Sequence, residues 1–330
     1  MEPAPPRPPT PESRRVLVGL DLDGETLRYA AVAHAAGQAP ELVRLGAASF
    51  DRDLAAGVLG AHADTEATDL LGRAAADALR GLQPYAVHVV AHAPHLPSFF
   101  VPVAAGLPAG ERYDRLRRET ALLADAEVGP VLRVRSRPVR LGRLPRSLGT
   151  GGQVVWHRTL HVPNPLHERL DALARRLGAV GRGGPRYDVV DGAEAAAALV
   201  VEAEGEIRRG GQALSLSVGL YDAGAELGIC QGGRLYYSRR IDAGPRGRAG
   251  LLDDLAYFAA ALVDRLGLDA EHLDRVYLYG PSAVAADVGR LAELFAAEVQ
   301  ELDPGAPFGR RFSRLDPALV PAVGAALGER

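Results

Sequence analysis

Acids crowd one turn near the start of the chain. The segment VLVGLDLDGETLRYAAV, residues 16–32, sets Asp21, Asp23 and Glu25 between two apolar runs. Carboxylates at the entrance of a tight turn can hold Mg2+ through water while the turn's backbone N–H groups cradle a phosphate. Without a metal the same acids repel one, because a carboxylate about 4 Å from a phosphate charge costs roughly 4 kcal/mol at an effective dielectric near 20. A second segment, GLYDAGAELGICQGG at 219–233, offers Asp222 and Gly224 in a similar setting. A third, RVYLYGPSAV, ends its apolar run on Gly280-Pro281.

The elements that must carry these residues are legible in the pattern. Apolar runs at 16–22, 26–33 and 41–49 predict a three-strand meander, its first turn at Asp23-Gly24, where both residues must tolerate positive φ. Leu70, Leu71, Ala74, Ala78 and Leu79 share one face of a helix over 65–81, with Gly81 as its stop. YAVHVVAH, 85–92, reads as a strand buried on both faces. The succession returns after residue 212: strands at 213–221, ELGIC and RLYYSRRI, a helix over 249–266 and a strand at 275–280. Two copies of strand-strand-strand-helix-strand imply two similar domains with a cleft between them. Each copy is expected to carry an aspartate, Asp21 or Asp222, at the end of its first strand.

Composition narrows the chemistry. The chain has 330 residues, 47% hydrophobic and 24% charged, enough for two domains with separate cores. A formal charge of -3 from 38 basic and 41 acidic residues argues against a general nucleic-acid binder. Every basic residue is arginine, which removes the Walker P-loop, the protein-kinase site and Schiff-base catalysis, since each needs a lysine amine. Cys230 is the sole cysteine, so neither an internal disulfide nor a cysteine-rich zinc site is available. Residues 1–15 read as a disordered Pro-rich tail; no window has the length and apolarity of a membrane span or a secretory signal, and a cytoplasmic protein is expected.

These segments resemble the actin-like ATPase superfamily, and within it the PilM/FtsA group. VGLDLDGETLRYAAV stands where that superfamily has its first phosphate loop, GLYDAGAELGICQGGRLYYSRRIDAG where it has the second, and RVYLYGPSAVAADVGRLAELF at the adenosine loop. The stretch 92–139, HAPHLPSFFVPVAAGLPAGERYDRLRRETALLADAEVGPVLRVRSRPV, is similar to the small subdomain inserted in PilM and FtsA. The resemblance implies an α/β, actin-like (duplicated ribonuclease H-like) fold: domain 1 at 16–93 and 151–205, an inserted α+β subdomain at 94–150, and domain 2 at 206–330. It further implies ATP and Mg2+ as cofactors, with Asp21, Gly24, Thr26, Asp222, Gly224 and Gly280 at the nucleotide and the two aspartates at the metal. The implied partner is the cytoplasmic N-terminal segment of a single-span, PilN-like inner-membrane protein, which would keep this chain peripheral to the inner membrane.

The loops depart from the superfamily's pattern. Asp23 and Glu25 flank Gly24 where small hydroxyl residues are usual, with Thr26 only afterwards; Leu227 and Gly228 replace a second-loop hydroxyl. Pro281 removes a backbone donor from the adenosine loop. The expectation is a scaffold or adaptor of a type IV pilus or related secretion platform with a degenerate nucleotide site. The alternative is a working ATPase or carbohydrate kinase of the same superfamily.

Other candidates have plainer readings. Arginines at 133, 135, 137, 140, 143 and 146 suit a basic patch or, more simply, a solvated strand face. His157 and His161 alternate along a strand and need not converge on a metal. Asp191 and Glu194 read as a capping pair opening a helix, and Asn164 as an N-cap before Pro165. QVVWHRTLHVP, 153–163, is expected to resume domain 1.

Overall fold

The computed structural model describes residues 14–60, 64–92, 98–124, 133–139, 147–148, 152–204, 214–231, 234–265, 273–309, 312 and 314–328. The Pro-rich tail lies outside the described residues except for Arg14 and Arg15, and Arg15 already belongs to the first strand.

The first meander is β1 (Arg15–Asp23), β2 (Thr26–His34) and β3 (Glu41–Ser49). Asp23 pairs with Thr26, so the turn is Gly24-Glu25, one residue later than expected. Gly24 takes φ +55 at the first central position, where a II′ hairpin wants glycine. Two helices follow, α1 (Leu54–Leu59) and α2 (Thr65–Ala78). Asp64 caps α2, accepting from Glu66 N at 2.9 Å and Ala67 N at 3.1 Å. The strand β4 (Ala86–Ala91) runs parallel to β1.

The inserted piece is β5 (Ser98–Ala104), α3 (Ala109–Leu123), β6 (Arg133–Val139) and β7 (Gly152–Val162). β7 pairs antiparallel with both β5 and β6, the two-residue strand Ser147–Leu148 pairing with its start. QVVWHRTLHVP therefore lies in the sheet of the insertion, not in the first sheet. A strand pattern shows that a segment pairs, not with what. Next come α4 (Asn164–Arg176), β8 (Tyr187–Asp191) and α5 (Gly192–Glu204). Pro163, not Asn164, occupies the N-cap of α4, and the Asn164 side chain makes no cap bond.

The second half repeats the first: β9 (Leu214–Tyr221), β10 (Gly224–Gln231), β11 (Arg234–Asp242), α6 (Gly247–Arg265), β12 (Leu273–Tyr279), α7 (Ala285–Phe295), β13 (Glu298–Glu301) and a final α8 (Val320–Leu327). The sheet orders correspond strand for strand, β3-β2-β1-β4-β8 against β11-β10-β9-β12-β13. In each the first three strands are antiparallel and the last two parallel to the first.

Each sheet has its own core, and a third core joins them. There α5 and α8 bury Ala196, Leu199, Val323 and Ala326 together with Ala30 and Val32 of β2 and with Tyr277 and Tyr279 of β12. All eight residues of α8 are buried. Its backbone lies so close to its neighbours that a Cβ on Gly19 would fall 2.0 Å from Ala322 O, and one on Gly324 would fall 1.9 Å from Ala195 O. Glycine is required at both positions.

Candidate functional site

The two hairpin turns do not present matching aspartates. Asp21 lies inside β1, two positions before its end, and is fully buried. Asp222 lies in the turn between β9 and β10 and is exposed. The expected symmetry fails because Asp21 pairs with Arg28 across the ladder, whereas the last strand residue of the second hairpin is Tyr221.

Asp21 belongs to a buried ionic network. His92, just past β4, donates from Nε2 to Asp21 Oδ1 at 2.6 Å and from Nδ1 to Glu226 Oε1 at 2.8 Å. Both ring nitrogens face carboxylates, which only accept, so the ring is the doubly protonated imidazolium. Burial works against that charge, but Glu226 and Asp21 outweigh it and hold the His92 pKa well above its ordinary value. Arg28 of β2 reaches Asp21 at 3.6 Å and Asp23 at 3.1 Å. Burial, with Asp21 adding to it, pushes the Asp23 carboxyl up. Glu226 belongs to β10, so Asp21–His92–Glu226 ties the first domain to the second. Gly192 at the start of α5 makes room, since a Cβ there would lie 2.4 Å from Glu226 Oε2.

A second network adjoins the first. Arg158, buried in β7, donates to Asp191 at 2.7 Å, Glu194 at 2.8 Å and the Ser238 hydroxyl at 3.0 Å. The expected capping pair is half realised: Asp191 accepts from Glu194 N at 3.2 Å, while the Glu194 side chain turns to Arg158. The insertion is thereby linked to both domains.

The remaining site residues sit at the edges of this arrangement. Glu25 is exposed, Gly24 and Thr26 are half-buried, and Gly24 O accepts from Ala55 N at 3.2 Å. Asp222 accepts from the Ser282 hydroxyl. Gly280 has φ +101, its N–H donates to Pro317 O at 3.2 Å, and a Cβ there would lie 2.5 Å from Leu220 O. Gly224 is buried with β11 closing over it, since a Cβ would fall 2.4 Å from Ile241 O.

Three of the expected site residues thus have partners within the chain: Asp21 with Arg28 and His92, Asp222 with Ser282, and the Gly280 N–H with Pro317 O. Arg28 and His92 stand as cations on the carboxylate a metal would need, and Asp222 is outside that cluster. Among the described residues no three or more His, Cys, Asp or Glu are grouped to hold a metal ion.

Sequence reasoning singled out Asp21 and missed Arg28, His92, Arg158 and Glu226. Their signal was available: each is a charged or titratable residue set in, or just past, a largely apolar strand, a placement that demands a partner.

No protein-family model matches the chain, and no curated protein matches it by sequence. Among solved structures, a chain of the PilM–PilN type IV pilus biogenesis complex is similar, with a TM-score of 0.68 at 14% identity, covering 94% of this chain and 97% of that one. The fold is that of the actin-like ATPases. Weaker likenesses are to a Bacteroides thetaiotaomicron protein with an actin-like ATPase fold (TM-score 0.46, 10% identity, 89% and 93% covered) and to the cytoplasmic domain of EpsL, an inner-membrane component of the Vibrio cholerae type II secretion system (0.43, 14%, 96% and 96%). No helix among the described residues is long and apolar enough to cross a membrane.

Proposed function

We propose that this actin-like chain is a PilM-like scaffold of a type IV pilus or related secretion platform, docking the cytoplasmic segment of a PilN-like, single-span membrane protein. Its two lobes are held together by internal ion pairs in place of a nucleotide. The observation that supports the reading is the cross-domain bridge Asp21–His92–Glu226, which pairs a protein cation with the aspartate that the resemblance assigns to Mg2+. The likeness to the PilM–PilN chain over nearly the whole of both molecules, insertion included, supports the choice of platform. The proposed domains remain 16–93 with 151–205, an insertion at 94–150, and 206–330, and the pairing of β7 with β5 and β6 supports carrying the insertion on to the end of β7. Its strand β5 pairs, among the described residues, with β7 alone, which leaves an edge able to accept an extended peptide by backbone pairing.

The test is a calorimetric titration of the full chain, free of nucleotide, with the cytoplasmic peptide of a genomically adjacent single-span membrane protein. A scrambled peptide is the control. Saturable binding without ATP is expected. Binding that appears only with MgATP would restore the ATP-driven alternative, and no binding in either condition would remove the docking assignment.

A further inference from the structure

Positive charge without matching acids gathers at the foot of the first sheet. Arg15 opens β1, Tyr85 immediately precedes β4 and Arg186 immediately precedes β8. Because β4 runs between β1 and β8, the two arginines flank the tyrosine, their guanidinium carbons 4.7 Å and 4.1 Å from the centre of its ring. Arg15 is six residues from Asp21 along β1, about 20 Å in a strand, so this foot lies well away from the buried ion pairs.

Arg186 is held on two sides. A Cβ added to Gly181 would fall 2.2 Å from its Nε, 2.3 Å from Nη2 and 2.4 Å from Cζ, nearly equal distances that put a flat face of the guanidinium on the glycine. A planar cation packed between a glycine and an aromatic ring keeps only its N–H edge free. That edge is reachable: no Arg186 nitrogen is sealed from solvent without a partner, and among the described residues Arg186 donates no side-chain hydrogen bond. Arg182 is exposed in the turn of the same small hairpin, Val180–Gly181 with Gly184–Pro185, where a Cβ on Gly183 or Gly184 would meet nothing within 4 Å. Arg14 has a partner in Glu41 at 2.8 Å, but among the described residues Arg15, Arg182 and Arg186 have no carboxylate of their own.

We propose that the foot of the first sheet binds a phosphate group, its oxygens on the N–H edge of Arg186, with Arg15 and Arg182 adding to the attraction. A guanidinium edge matches two phosphate oxygens at once, and each bond is charge-assisted. Because Arg186 is packed before a ligand arrives, little side-chain freedom is lost on binding. Arg15 stands within a Debye length of Arg186 across the ring, so an anion at one is drawn by both. A carboxylate brings one charge and two oxygens, which a single fork uses up, whereas a phosphate brings up to two charges and keeps oxygens for a second donor. The phosphate has two possible sources, a soluble ion or ester and a lipid headgroup, and the chemistry at Arg186 is common to both. The inference stands apart from the pilus reading, since it uses neither the cleft nor the insertion.

The experiment titrates the full chain by calorimetry with inorganic phosphate and, at the same ionic strength, with acetate. Saturable phosphate binding, at least about tenfold tighter than acetate, is expected. Arg186→Gln should weaken phosphate by about tenfold or more. Gly181→Ala is the sharper variant: it leaves every charge in place and pushes the guanidinium off the glycine, so a loss of similar size separates a built site from a merely positive surface. Gly181 has no positive φ, so its backbone accepts alanine, and urea unfolding checks that both variants keep their stability. Co-sedimentation with phosphatidylcholine vesicles containing phosphatidylglycerol distinguishes the sources: sedimentation that both variants lose identifies a lipid headgroup, phosphate binding without such sedimentation identifies a soluble phosphate, and either result supports the site. Absence of saturable phosphate binding, equal binding of acetate, or phosphate binding that either variant leaves unchanged would overturn it.

Discussion

Replacing His92 by Gln removes one positive charge from between two buried carboxylates while keeping a side chain able to donate a hydrogen bond. Asp21 retains Arg28 at 3.6 Å, so the loss falls mainly on Glu226, whose ion pair among the described residues is with His92. Breaking a buried pair from one side costs about 3–5 kcal/mol. At about 2–4 °C per kcal/mol, the melting temperature should fall by at least about 6–12 °C at pH 7. The pH dependence supplies the sharper check. The folded His92 pKa lies well above the unfolded 6.5, so the stability from its charge is fully present below that unfolded value and is lost as pH rises through the folded one. Urea unfolding of wild type and His92→Gln between pH 6.5 and 9 should therefore show the gap narrowing, by up to about 1.4 kcal/mol per pH unit. Adding Glu226→Gln to the variant should recover a large part of the loss. A gap that stays constant across this window, or a double variant no more stable than the single, would refute the claim that a charged histidine bridges the domains.

Arg158→Met should destabilise by about 3–5 kcal/mol, because Asp191 and Glu194 lose their shared cation, and Glu194→Gln in that background should restore part of it in the same urea assay. Gly280→Ala forces a Cβ 2.5 Å from Leu220 O at φ +101, so a loss beyond the usual 1–3 kcal/mol of backbone strain (about 2–4 °C in melting temperature per kcal/mol) is expected by scanning calorimetry. Calorimetry with MgATP should give no binding tighter than high micromolar and no phosphate release; low-micromolar binding abolished by Asp222→Ala would restore the ATPase. Cys230 is 1% exposed and burial pushes its thiol pKa up, so a thiol reagent should leave it unmodified until the chain unfolds.

The repeated meander was legible because each strand alternates or runs apolar between turn residues, and the two sheets answer those runs almost residue for residue. What the pattern could not carry was pairing at a distance. β7 has the same apolar character whether it joins the first sheet or the insertion, and α1, at six residues, is too short to show a period. The site was legible only in part for a related reason. Asp21 stood out beside a turn, whereas its counter-charges come from β2, from the end of β4 and from β10; Glu226 lies 134 positions from His92. Spacing along one segment cannot reveal such a cluster, although a lone Arg28, Arg158 or Glu226 in an apolar strand announces that a partner exists.

The last helix has a consequence for how the molecule is made. His34 and Ala326, joined by a 3.0 Å hydrogen bond, are 292 positions apart, and α8 packs along a face of β1, β2 and β4 to which the nearer α5 adds a smaller contact at β4. On the ribosome the first lobe therefore emerges with the part of this apolar face that α8 covers still bare, and it stays so until the second lobe's strands have been translated. The second lobe's sheet has all its strands before α8 appears, and it can close first. Contacts of such sequence separation are slow to form, so the nascent first lobe is the stretch that a holding chaperone would meet. Termination before residue 320 should yield a chain whose second half folds while its first half aggregates.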